Sequence, residues 1–153
     1  LRSPVHEERT LALLMLVDAF KSGDEPARRR IYDLYLANTR FINNWDLVDS
    51  SAPYILGPWL VNRDRSILRE LAKSASLWER RIAILATFAF IRANDFAWTL
   101  ELAGTLLTDG YEKLESALGA ADPKTREALD TLVLLYEKCG MREKAAHYSA
   151  LKR

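Results

Sequence analysis

Helix punctuation recurs along this chain and constrains its fold more than any other feature. Asp24-Glu25-Pro26 and Asp122-Pro123 each place a carboxylate just ahead of a proline, and Ser3-Pro4 places a hydroxyl there. A cap oxygen accepts an orphan amide of the first turn, and proline is tolerated there because its missing N–H would have had no intrahelical partner. Gly23 and Gly140 close two of these segments, as glycine commonly does at helix ends. Inside the first segment Leu11, Leu14, Met15 and Val17 follow helical spacing. In the second, Ile31, Leu34, Tyr35 and Phe41 do the same. Further starts fall at Asp64, Ser76 and Asp95, and Glu79 stands at the capping-box position relative to Ser76. "MREKAAHYSALKR" reads as the last helix, and no segment alternates with period two. The expected fold is all-α: roughly eight or nine helices with short joints, in an antiparallel helical-repeat stack.

With 153 residues, 49% of them hydrophobic, the chain can bury one sizeable core. A net charge of +1 argues neither for nor against a nucleic-acid partner. The single Cys139 excludes an intrachain disulfide and fits a reducing compartment. No apolar run approaches the roughly 20 residues that cross a membrane, and the opening "LRSPVHEERT" lacks a signal-peptide apolar region. No membrane partner is expected, and the expected location is the cytoplasm. His6 and His147 lack metal-ligand spacing, and there is no Cys/His cluster, Gly-rich phosphate loop or nucleophile beside a base. No metal, cofactor or small-molecule partner is expected.

Composition changes near residue 108. Residues 1–108 hold 12 Arg and 2 Lys, whereas residues 109–153 hold 3 Arg and 5 Lys. All four Trp lie at or before Trp98. A switch from Arg to Lys has no folding reason and hints at two sequence origins.

Chemistry concentrates in "NNWDLVDSSAP". Trp45 and Asp49 stand four apart, and such positions share a face of a helix. Two readings are open. In one, Asn44 or Asp46 caps a short helix and Trp45 packs into the core, as aromatic residues usually do. In the other, an exposed ring and a carboxylate grip a cation, or stabilise the positive charge that develops on a sugar as its glycosidic bond breaks. "SLWERRIAI" adds the adjacent Arg80 and Arg81, which are either a solvated pair or a phosphate clamp. "ARRRIYD" and "NRDRSILRE" add further Arg of lower specificity.

Taken together, "FINNWDLVDSSAPYILG", "SLWERRIAILATFAFIR", "SPVHEERTLALLMLV" and "IYDLYLANT" resemble the DNA alkylation repair family, bacterial DNA glycosylases built of HEAT-like helical repeats. The resemblance covers about residues 1–108. It implies that Trp45 and Asp49 of the Trp-Asp-x-x-Asp stretch, and Arg81 of the Trp-x-Arg-Arg stretch, face DNA, with Arg80 beside them. It further implies release of cationic 3- and 7-alkylpurines without flipping the base into a pocket. The ring would lie against deoxyribose, the carboxylate would stabilise charge and position water, and the guanidinium would contact phosphate. That family begins several helices earlier and continues into a helix of the form "KAxGWxLRE", which has no counterpart here. In its place "LGAADPKTREALDTLVLLYEKCG" resembles a tetratricopeptide repeat of the kinesin light chain type, with Ala145 at its small position.

These resemblances imply a truncated HEAT-like glycosylase core over 1–108 and a tetratricopeptide-like helix pair over 109–153, packed as one continuous domain. They make a chimeric or engineered helical-repeat scaffold the first expectation, with Trp45 and Asp49 an inherited, inactive face and only weak duplex-DNA binding through Arg80 and Arg81. The alternative expectation is an alkylpurine DNA glycosylase. A peptide-binding groove ranks last, because one repeat makes too little groove. A terminal repeat without a polar cap would also open a route to a homodimer.

Overall fold

The computed structural model describes residues 1–152. Among them the chain is helical without strands: ten α-helices and one 3-10 turn. The all-α helical-repeat expectation holds. Two compact units divide the chain, Leu1–Thr99 and Leu100–Arg153.

In the first unit α1 spans His6–Ser22, α2 Glu25–Leu36, the 3-10 turn Thr39–Phe41 and α3 Trp45–Asp49. Then come α4 Leu56–Leu60, α5 Ser66–Ala72, α6 Leu77–Ala86 and α7 Phe88–Arg92. Local punctuation explains several of these bounds. Asp24 accepts the Ala27 N–H at 2.9 Å, and the Gly23 N–H returns to the Ala19 carbonyl. At the first helix Ser3 acts one step early. Its hydroxyl oxygen accepts the Val5 N–H at 3.1 Å, and the helix begins only at His6, with Pro4 outside it. The Ser76–Glu79 capping box does not form. Glu79 instead accepts the Thr39 hydroxyl at 2.6 Å and the Ser74 hydroxyl, while the Ser76 N–H donates to Ser74 Oγ. Tertiary partners thus take the carboxylate that the local pattern assigns to a cap.

The face of α1 that packs is Leu13, Val17 and Phe20, not the stripe of Leu11, Leu14 and Met15, whose side chains are exposed. Both sets have helical spacing, and only the neighbouring helices decide between them. Likewise Ile31 and Tyr35 of α2 are buried and Leu34 points out. The run expected as one helix from Ser76 breaks at Thr87. The Thr87 hydroxyl donates to the Ile84 carbonyl at 2.7 Å, and the chain restarts as α7. Such back-bonding bends helices. That break and the paired short helices α3 and α4 raise the number of helices above the expected one.

The core of this unit lies where α3 packs on α1 and α6, and α4 on α2, α6 and α7. Leu47, Val48, Ile55, Leu56, Leu68, Ile82 and Phe90 are fully buried there. At the end of the unit Arg65 donates to Asp95 at 2.6 Å and lies 4.0 Å from the Phe90 ring centroid, while Asp95 accepts the Ala97 N–H that opens α8.

Helix α8, Ala97–Leu118, runs through residue 108 and through Gly110 without a break. Arg and Lys have similar helix propensities, so a change between them leaves no mark on the backbone. In the second unit α9, Pro123–Lys138, and α10, Arg142–Ala150, pack on each other. Asp122 accepts the Lys124 N–H at 2.8 Å, and Gly140 turns the chain at φ +70. Tyr111, Leu129, Leu132, Tyr136 and Ala145 form the core, with Leu107 and Tyr148 against it. Gly104 lies where a Cβ would meet the Tyr136 ring at 3.2 Å. Leu132 is 0% exposed. Leu132→Ala should therefore lower stability by about 2–5 kcal/mol, read as a shift in the urea midpoint at constant slope.

Candidate functional site

Helix α3 is a single turn, too short to hold itself, so its surroundings set its orientation. Asn44 caps it, its side-chain oxygen accepting the Trp45 N–H at 2.8 Å. At the far end the Ser51 hydroxyl reaches the Leu47 carbonyl at 2.5 Å and meets the Tyr35 phenol at 3.0 Å. Tyr35 is fully buried, and burial pushes its phenol well above the ordinary range. It therefore stays neutral and fastens α3 to α2. Leu47 and Val48 face the core.

The outward face carries Trp45 and Asp49. Trp45 is 61% exposed, which removes the reading of it as a core residue. An exposed indole of that size in a packed unit asks for a partner, since tryptophan is usually largely buried. Asp49 is gripped by Arg81 from α6. Arg81 Nε donates to Oδ1 and Nη2 to Oδ2, each at 2.7 Å, with the side chains 35% and 40% exposed. This is the fork-on-fork geometry of the strongest carboxylate pairs. The hydrogen bonds and charge of Asp49 raise the Arg81 pKa further, so the guanidinium is charged at any working pH. The third guanidinium nitrogen, Nη1, takes no part in the pair.

Of the residues singled out from the sequence, Trp45 and Asp49 lie on α3 and Arg81 meets Asp49; the sequence reading gave Arg81 to phosphate and did not foresee that bond. Arg80 turns elsewhere. Its Nη1 donates to the Ser74 and Ala75 carbonyls at 2.8 and 3.0 Å, which fastens the turn ahead of α6.

A further contact was not legible in the sequence. His6 Nε2 lies 2.7 Å from Asp46 Oδ2. Partial burial pushes the Asp46 carboxyl up, but the His6 hydrogen bond, the Leu47 N–H and the His6 charge together hold it below the usual carboxylate range. A carboxylate depressed in the folded state stabilises the fold above its unfolded pKa, about 3.9, and loses that contribution as pH falls through the folded value. Asp46→Asn should therefore melt below the wild type at pH 6, and the gap in Tm should narrow at pH values under about 4. His147 belongs to the second unit, edge-on to the Tyr148 ring at 5.0 Å. Among the described residues no group of three His, Cys, Asp or Glu side chains could hold a metal ion, and no helix is long and apolar enough to cross a membrane.

The segments that build this face also place the chain among known proteins. A profile of the DNA alkylation repair enzyme family matches residues 1–121, and the chain belongs to that family. Searches of curated proteins and of solved structures each find no match. The family match covers α1 to α7 and all of α8, and so continues past residue 108 to Ala121. It gives no support to a joint between two families there, to a tetratricopeptide origin for the helices that follow, or to an engineered scaffold.

Proposed function

We propose that the chain acts on duplex DNA as an alkylpurine glycosylase, releasing cationic 3- and 7-alkylpurines through the Trp45, Asp49 and Arg81 face. The observation that carries this reading is an exposed tryptophan one turn from a carboxylate whose two oxygens are fixed by one guanidinium. Solvent-exposed ion pairs add little stability, so the pair is better explained as aim than as glue.

The chemistry suits a cationic leaving group. An alkylated purine already carries a positive charge, so its glycosidic bond can break with the electron pair going to the ring nitrogen and a neutral base departing. The sugar is left as an oxocarbenium ion. Asp49 then faces developing positive charge. Its carboxylate stabilises that charge, orients a water toward C1′ and takes the proton as the new C–O bond forms. The face of the Trp45 ring is electronegative and attracts the same cation. Arg81 holds the carboxylate plane, and its Nη1 edge is free to meet a phosphate oxygen.

The direct experiment incubates the protein with duplex DNA containing one 7-methylguanine and measures free base. Trp45→Ala separates site from scaffold. It should leave stability within about 0.5 kcal/mol, because the ring is exposed, and should lower base release. Binding of duplex DNA without release of base would mean that Trp45 and Asp49 form an inherited, inactive face.

A further inference from the structure

His6 has no role in the chemistry just described, yet it makes a long-range contact to the helix that carries it. Positions 6 and 46 are forty residues apart, and Nε2 meets Oδ2 at 2.7 Å. Asp46 lies in the first turn of α3, between Trp45 and the core residue Leu47. Its other oxygen, Oδ1, is buried with no hydrogen-bond partner. Among the described residues His6 is the side chain that meets this carboxylate, at Oδ2; the other hydrogen bonds to it are backbone N–H groups of its own turn. His6 is also the ionisable side chain whose charge acts on Asp46.

The two ends of α3 are held differently. The C-terminal end has the buried Tyr35–Ser51 bond and the Asp49–Arg81 fork. The N-terminal end has its own Asn44 cap, a 3.3 Å bond from Arg9 to Asn43 just ahead of the helix, and the His6–Asp46 contact. The C-terminal end has the buried bond and the N-terminal end has partly exposed ones, so loss of one N-terminal contact acts most on the residue beside it, Trp45.

We infer that His6 is a positioning residue: through Asp46 it fixes the first turn of α3 on α1, and so sets the direction of the Trp45 ring relative to the Asp49 carboxylate. The inference rests on the glycosylase reading for its catalytic consequence, but its structural half stands alone. The alternative is an ordinary exposed ion pair, since both side chains are about one-third exposed, at 33% and 32%. Such pairs often contribute nothing measurable.

The test compares wild type, His6→Ala and His6→Gln. The glutamine amide can reach the place of Nε2 and donate the same hydrogen bond without the ring or charge. Amide hydrogen exchange over residues 44–52 reads the turn directly. It should quicken by roughly tenfold in His6→Ala, while exchange in α6 is unchanged, and should return toward wild type in His6→Gln. In single-turnover release of 7-methylguanine, His6→Ala should lower the rate by about tenfold or more with duplex affinity within about twofold, and His6→Gln should recover most of it. If His6→Ala proves too unstable to study, Asp46→Ala, which removes the acceptor that His6 meets, serves in its place and should show the same local exchange. Equal exchange over residues 44–52 in wild type and His6→Ala would overturn the inference, and so would a loss that His6→Gln does not repair. Should wild type release no base while the exchange pattern appears as described, the glycosylase reading fails and the role of His6 in fixing α3 stands.

Discussion

Asp49→Asn is expected to lower the rate of 7-methylguanine release by about 10²–10³-fold, with DNA affinity little changed. The substitution keeps the size of the side chain but removes the negative charge that, in the proposed reaction, faces the sugar cation. It also puts an NH₂ group where one guanidinium N–H now donates, so one arm of the Arg81 fork is lost. Both effects act on the reacting centre and neither acts on the phosphates, which supply most of the affinity for DNA. The signature is a fall in the single-turnover rate at nearly constant Kd. A parallel fall in affinity and rate would mean that Asp49 shapes the binding surface instead. Asp49 lies at the end of α3 and is half-exposed, so the Tm of the variant should stay near wild type.

The second large effect concerns the packing that holds this face in place. Gly57 sits in α4 against the end of α6. A Cβ at that position would lie 2.3 Å from the Ala86 carbonyl oxygen and 2.9 Å from the Ala89 Cβ. The obstacle is mostly backbone, which cannot rotate away as a long side chain can. Gly57→Val should therefore push α4 off α6 and lower stability by about 3 kcal/mol or more, a fall of roughly 10 °C in Tm. Gly110 is the matched contrast. A Cβ there meets nothing within 4 Å, and the residue lies inside α8. Gly110→Ala should raise stability by about 0.5–1 kcal/mol, because alanine favours the helix interior. Wild-type melting of Gly57→Val would contradict the close approach of α4 to the end of α6.

These particulars also show what the residues alone could and could not convey. Caps at Asp24 and Asp122, and stops at Gly23 and Gly140, were legible because a cap is a bond across two or three residues. The core face of α1 was not, because two stripes of the same period compete and the choice belongs to α2 and α3. Glu79 carried a local signature, yet it serves Thr39, forty positions away. The site divides along the same line. Trp45 and Asp49 were legible as a pair because they lie one turn apart. The partners that aim them, Arg81 and His6, come from 32 and 40 residues away. The resemblance supplied Arg81, with a different role, and nothing in the spacing pointed to His6. Near residue 108 the change from Arg to Lys suggested two sequence origins; α8 passes through it unbroken and the family match continues to Ala121, so neither the backbone nor the match supports that reading.

One measurement bears most directly on the central claim. Wild type, Asp49→Asn and a no-protein control are incubated with duplex DNA bearing a single 7-methylguanine, and released base is counted over time. Wild type should release base well above the control, and Asp49→Asn about 10²–10³-fold more slowly. Release at the control level by folded, DNA-binding wild type would contradict the glycosylase reading, and so would release that Asp49→Asn leaves intact.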